Sequence, residues 1–295
     1  MISLTATDLA LLSSELPPLQ SAHVRSPLYA DESPRLDYRA AGSDEAPVMV
    51  CLHGLGSSSA GYRAQLAGLS DAFRVIAWDA PGFGQSTPLA NPDPDVWQYT
   101  EALGVFLDAL GIRRVACLIG SSWGSVIATA FAARQPGRVG GLVLSGANTA
   151  RGDLPGDARN TEMAARLQTA DTSIPVPRSA VADRLLTPQT PVEVRRHVER
   201  LRDAMTTVGW RQAVKMLFSV YTPDLIGEVK CPVALLAGSL DRIAPHEDHA
   251  LKLRAAAPLA TLHLFENYGH MLKLEAPTRF NDIVRATAER PGAAI

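Results

Sequence analysis

The sequence predicts an α/β fold, a mostly parallel sheet flanked by helices. Three observations lead there. Short, unbroken apolar runs recur along the chain, helix-like stretches separate them, and several runs stop at a glycine where the chain must turn. Unbroken apolar runs mark strands buried on both faces. Their alternation with helical stretches is the pattern of a parallel sheet with crossover helices.

Taken in order, Leu36-Asp37-Tyr38-Arg39 reads as an early antiparallel edge strand. Residues 48–52, 74–78, 115–119, 141–145, 233–237 and 261–265 read as buried strands. They end at His53-Gly54, Asp79, Gly120, Gly146, Gly238 and Glu266 respectively. Helical patterns occupy about 96–110, 123–135, 246–257 and 276–289. The alternation breaks at 150–228, where prolines, arginines and helical patterns at 192–202 and 210–221 occur without a clear strand. That stretch is too long for a plain loop. We expect a core domain of residues 1–149 and 229–295, with 150–228 inserted as a helical cap that shapes a pocket and excludes water.

Composition narrows the function. The 295 residues suit one large domain or a core with an insertion, and 46% hydrophobic residues supply a sizeable interior. A net charge of −2 with mixed signs leaves no basic footprint for a nucleic acid. The beginning of the chain has no basic start and carries Asp8 within its apolar stretch, unlike a secretory signal. No apolar stretch is long enough to span a membrane. A cytoplasmic setting is therefore expected, with a small-molecule substrate, no nucleic-acid or membrane partner, and a homo-oligomer left open. The three cysteines, Cys51, Cys117 and Cys231, form no disulfide framework and are not spaced for zinc; they read as small buried hydrophobes.

The sharpest motif is Gly120-Ser121-Ser122-Trp123-Gly124, a G-x-S-x-G segment after a strand and before a helix beginning near Val126. A tight turn there lifts the Ser122 hydroxyl clear of the backbone. Ser121 and Ser125 lack flanking glycines on both sides and read as turn or packing residues. A serine hydroxyl needs a base. Of seven histidines, His270 in Tyr268-Gly269-His270-Met271 follows the last strand on a loop that can reach the nucleophile. His246 and His249 read as solvated, and His23, His197 and His263 show no partner motif. The base needs an acid to hold its tautomer. Asp241, after Gly238-Ser239-Leu240, completes the chain order serine, acid, histidine. Asp153 is the fallback acid.

His53-Gly54-Leu55-Gly56 follows the strand at 48–52. The backbone N–H groups of Leu55 and Trp123 are expected to form an oxyanion hole. His53 reads as a brace for that loop, and Asp79 as an anchor for the turn Asp79-Ala80-Pro81-Gly82-Phe83-Gly84-Gln85-Ser86. The glycines there are not spaced for a dinucleotide, and no phosphate-loop lysine is present. No cofactor and no metal are expected.

HGLG at 53–56, DAPGFGQS at 79–86, GSSWG at 120–124, GSLDRIAP at 238–245 and YGHMLKLEAP at 268–277 together resemble the α/β-hydrolase superfamily. More narrowly, they are similar to its cap-bearing esterases and C–C bond hydrolases. The resemblance spans about residues 35 to 290 apart from the cap. It implies an eight-stranded, mostly parallel sheet, a triad at Ser122, Asp241 and His270, and hydrolysis of a carboxylic ester or related acyl bond through an acyl-enzyme. Relatives that cleave vinylogous diketones carry tryptophan after the catalytic histidine, where this chain has Met271. Ser122-Trp123-Gly124-Ser125 resembles prolyl aminopeptidases, whose oxyanion segment is Gly-Gly-Pro-Gly rather than Gly54-Leu55-Gly56. Dehalogenases and epoxide hydrolases of this fold use an aspartate where Ser122 stands. Cofactor-free perhydrolases are alike in sequence, and a non-catalytic ligand-binding protein is the alternative outside enzymes. Of the nine arginines from Arg151 to Arg202, most read as a solvated face, with a substrate carboxylate as a target for one of them.

Overall fold

A computed structural model of the protein describes residues 3–171 and 177–290. The elements run α1 (Ala6–Ser13), β1 (Gln20–His23), β2 (Arg35–Ala41), β3 (Val48–Leu52), α2 (Arg63–Gly68), β4 (Arg74–Trp78), α3 (Val96–Ala109), β5 (Cys117–Ser121), α4 (Trp123–Arg134) and β6 (Leu142–Ser145). They continue through α5 (Gly156–Asp171), α6 (Arg178–Leu185), α7 (Val192–Leu201), α8 (Thr207–Leu217), α9 (Pro223–Ile226), β7 (Val233–Gly238), α10 (Ala250–Ala256), β8 (Thr261–Phe265), α11 (Leu272–Glu275) and α12 (Pro277–Ala288).

The eight strands form one sheet in the order β1-β2-β4-β3-β5-β6-β7-β8. β1–β2 and β2–β4 are antiparallel, and every later pairing is parallel. Alternation along the strands divides the interior in two, because successive side chains point to opposite faces. Val50, Leu52, Ile76 and Trp78 join the core that includes α3 and α4. Met49, Cys51, Val75 and Ala77 join the core beneath α2 and α12. A third cluster gathers Leu12, Ala182, Val194, Val198 and Leu201 around Met271 and Leu274, so α1, α6 and α7 pack onto the segment that follows His270.

Several expectations need correction. The early antiparallel strand, β2, is not an edge. β1 covers it, and Gln20-Ser21-Ala22-His23 is too polar to announce a strand without its partner. β8 is the edge on the other side and is only partly buried over most of its length, not covered on both faces. β5 begins at Cys117 rather than Val115, which makes one isolated bridge to Val139, and it runs on to Ser121. α4 starts at Trp123, as the helical pattern from about 123 predicts and three residues before the start near Val126 set by the motif, because the turn at Ser122 leads directly into helix. α10 starts at Ala250 rather than near 246. Cys51 and Cys117 are buried, but Cys231 is only half-buried. Between β6 and β7 the described residues form α5 to α9, with one bridge between Ala150 and Tyr221.

Candidate active site

The site sits at the carboxyl ends of β5, β6 and β7. Ser122 joins β5 to α4 with φ 52° and ψ −116°, a conformation L residues adopt only when their surroundings hold them there. Its N–H donates to the Ser145 carbonyl at 2.9 Å, tying the turn to β6. Glycine is required on both sides. A Cβ on Gly120 would lie 2.6 Å from the Gly124 carbonyl oxygen and from Ser125 Cα, and one on Gly124 would lie 2.6 Å from the His53 carbonyl oxygen. Ser121 and Ser125 have other work. Ser125 Oγ donates to the Ser122 carbonyl and accepts from the Asn148 N–H, while Ser121 Oγ accepts from Lys273.

Asp241 follows β7 on a tight turn. Its Oδ1 accepts N–H bonds from Ile243 (2.8 Å) and Ala244 (3.0 Å), and its Oδ2 lies 2.7 Å from His270 Nδ1. Burial pushes this carboxyl up, but the charge and hydrogen bond of His270 with the two backbone donors outweigh burial and hold it below its ordinary value. With Nδ1 donating to the carboxylate, Nε2 is left as the basic atom. The exposed Asp153 is not the partner of this ring.

The loop bearing His270 is held at several points that the sequence does not announce. The His270 N–H donates to the Leu185 carbonyl at the end of α6 (2.8 Å). Glu275, buried on α11, accepts from the Gly269 and Met271 N–H groups (3.3 and 3.0 Å) and from Thr190 Oγ1 (2.9 Å). Burial raises its pKa in spite of these donors. Gly146, with φ 52°, leaves room for the ring itself. Each contact depends on the register of α11 or on a turn distant in sequence, so no local signal marks it.

The segment 53–56 lies against Ser122: a Cβ on Gly54 would stand 3.2 Å from Ser122 Cβ. Trp123 opens α4, so its N–H has no carbonyl four residues earlier in the helix. His53 is fully buried. Its Nε2 accepts from the Ala80 N–H (3.0 Å) and its Nδ1 donates to the Gly54 carbonyl (2.9 Å), while burial lowers its pKa to about 4. It therefore links the 53–56 loop to the turn after β4 as a neutral brace. Asp79 anchors that turn, accepting from the Ser59 N–H at 2.6 Å. His249 is not solvated as expected. It is buried, its Nδ1 accepts from the Thr149 N–H (3.2 Å), and burial lowers its pKa to about 4.

Ser122, His270, Leu55 and Trp123 line one cavity of about 440 Å³. Leu185, Leu201, Trp210 and the arginines 166, 184 and 202 supply wall from α6 to α8 and their neighbours. Arg166 is paired with Glu162, which also holds Arg151. Trp123 Nε1 donates to the Ala213 carbonyl of α8 (3.1 Å), joining the start of α4 to α8. Among the described residues no cluster of three or more His, Cys, Asp or Glu side chains could hold a metal, and no helix is long and apolar enough to cross a membrane.

The family model for the alpha/beta hydrolase fold matches residues 47–277, and the chain belongs to that family of hydrolases. A 2-hydroxy-6-oxononadienedioate/2-hydroxy-6-oxononatrienedioate hydrolase of Dechloromonas aromatica is 31% identical over 262 residues, 85% of this chain and 89% of its own. A 2-hydroxy-6-oxo-6-phenylhexa-2,4-dienoate hydrolase of Burkholderia cepacia is 30% identical over 262 residues, 84% of this chain and 88% of its own. Among solved structures, an esterase of Thermogutta terrifontis superposes with a TM-score of 0.78 at 22% identity, covering 91% of this chain and 97% of its own.

Proposed function

We propose that the protein is a serine hydrolase that cleaves a carboxylic ester or related acyl bond of a small molecule. The observation that carries this reading is that His270, paired with the buried Asp241 at 2.7 Å, lines the same cavity as a serine held at positive φ at the start of a helix. In the proposed reaction His270 Nε2 takes the Ser122 proton as Ser122 Oγ attacks the carbonyl carbon. The oxyanion rests on the Leu55 and Trp123 N–H groups. The tetrahedral intermediate collapses, His270 protonates the leaving alkoxide, and water repeats the sequence to free the acid. Residues 150–228 act as a cap. Supporting this are the wall residues from α6 to α8 and the tie from Leu185 to His270.

A second reading, hydrolysis of a C–C bond in a ring-cleavage product, is favoured by the names of the relatives at 30% and 31% identity. Met271 weighs against it, since it stands where the resemblance calls for tryptophan.

The test is turnover of short-chain p-nitrophenyl esters by wild type and Ser122→Ala, with a fluorophosphonate tracking labelling of Ser122. Wild type is expected to turn over and label, and Ser122→Ala to lose ~10³-fold or more in turnover. Labelling without ester turnover moves the reading to C–C bonds, and near-normal activity in the alanine variant overturns it.

A further inference from the structure

Behind the nucleophile lies a cationic group that the proposed reaction does not use. Lys273, on α11, is 1% exposed, and its Nζ donates to Ser121 Oγ at 2.9 Å, on the residue directly before Ser122. Its other near neighbours carry no negative charge. Nζ sits 5.0 Å from the centre of the Tyr62 ring, whose hydroxyl burial holds well above its usual pKa. Burial pushes the Cys51 thiol up as well, and His53 is neutral with its pKa lowered to about 4. Among the described residues no carboxylate pairs with Lys273. An ammonium has three donors, and one of them is spent on Ser121.

Two further hydroxyls stand with it. Ser57, 6% exposed, has its Oγ without a hydrogen-bond partner among the described residues. A Cβ placed on Gly61 would lie 2.7 Å from Ser57 Oγ and 3.6 Å from Lys273 Cε, so the hydroxyl and the lysine flank the same point. Ser121 Oγ accepts from Lys273 and keeps its own O–H to donate. Ser57, Ser121 and Lys273 all line the cavity that Ser122 and His270 line. A buried cation without a counter-ion is unfavourable, and an anion entering the cavity relieves it.

We propose that Lys273, Ser121 and Ser57 form an anion subsite that takes a free carboxylate of the substrate, placed a few bonds from the carbonyl that Ser122 attacks. The preferred substrates are then half-esters of short dicarboxylic acids rather than neutral esters. This rests on the ester-hydrolase reading and narrows it. The subsite is separate from the arginines that line the cavity elsewhere: Arg166 is held by Glu162, Arg184 is exposed, and Arg202 lies over the Trp210 ring. Lysine held at about 8 by burial is still mostly protonated at neutral pH, as the subsite requires.

The experiment compares kcat/KM for monoethyl succinate and monoethyl glutarate with that for ethyl pentanoate, by pH-stat, in wild type, Lys273→Met, Ser57→Ala and Arg184→Met. Wild type is expected to favour a half-ester by tenfold or more. That ratio should fall at least tenfold in Lys273→Met and by a smaller factor in Ser57→Ala. Wild type without a preference overturns the subsite, as does a preference lost in Arg184→Met but kept in Lys273→Met. Thermal melts establish that each variant is folded. Binding of glutarate to Ser122→Ala by calorimetry reads the subsite without turnover. If wild type hydrolyses none of the esters, the ester reading fails. Glutarate bound by Ser122→Ala and lost in Ser122→Ala/Lys273→Met then still supports the subsite, and no binding overturns it.

Discussion

Gly146 and His270 meet so closely that no side chain fits between them: a Cβ on Gly146 would lie 2.7 Å from His270 Cε1 and 2.8 Å from Nδ1. Gly146 follows Ser145, whose carbonyl accepts from the Ser122 N–H. The turn after β6 therefore touches the proposed nucleophile on one side and the proposed base on the other. Gly146→Ala must displace the ring and also take a left-handed φ of 52°. We expect kcat to fall ~10- to 100-fold, since small misplacements of a reacting group are expensive. The fold should lose ~1–3 kcal/mol. Steady-state kinetics and urea melts check both, and full activity with alanine would show that the ring has freedom to move.

Asp241 is expected to matter through the orientation of His270. Asp241→Asn keeps the shape but leaves no carboxylate facing Nδ1, which favours the wrong tautomer. A fall in kcat of ~10⁴-fold is expected. The same carboxyl contributes acid sensitivity. Its pKa in the folded protein lies below the ordinary 3.8. Its stabilisation is therefore complete above that ordinary value and is lost as pH falls through the lower folded value. Melting temperatures between pH 2 and 6 should show wild type losing stability on the acid side more steeply than Asp241→Asn. Parallel curves would contradict this.

What the sequence makes legible here is local geometry, and what it hides is register. Gly120 and Gly124 can be read as required because the turn they flank is five residues long, and Asp241 and His270 follow strands whose apolar runs are unmistakable. β1 is invisible because its four mostly polar residues become a strand only by pairing with β2. His249 reads as solvated because its sequence neighbours are polar, whereas its partner Thr149 is a hundred residues away in sequence. Lys273 and Glu275 lie in a four-residue helix whose phase no periodicity can set. A lysine there is by default a surface residue, and only the packing of α11 against Tyr62 and Ser121 buries it.

Glu275 is expected to hold the loop that carries His270. Removing it in Glu275→Ala strands the buried Gly269 and Met271 N–H groups. Each unpaired group costs about 1–3 kcal/mol. The expected result is a lower melting point together with a reduced kcat, because the loop bears the proposed base. Glu275→Gln keeps one acceptor oxygen and should recover part of both losses. If the alanine variant melts and turns over like wild type, Glu275 is not what holds the loop.

Lys273 should show the opposite balance between stability and function. Burial lowers its pKa from 10.5 to about 8, so the folded protein carries this charge at a disadvantage at neutral pH. Between about 8 and 10.5 the unfolded chain binds the proton that the folded protein has released. Wild-type stability should therefore gain from this group as pH rises through that window. Lys273→Met fills a similar volume without the charge, and it should be more stable than wild type by ~1–3 kcal/mol at pH 7. By pH 10.5 most of that advantage should be gone, because the wild-type amine is then neutral in its pocket. Urea denaturation of both proteins at pH 7 and at pH 10 or above measures the difference directly. A methionine variant less stable than wild type at pH 7 would mean that the bond to Ser121 and the Tyr62 ring outweigh the burial of the charge. Lys273 would then be a structural strut, with its cation already satisfied by its neighbours and no call for an anion in the cavity.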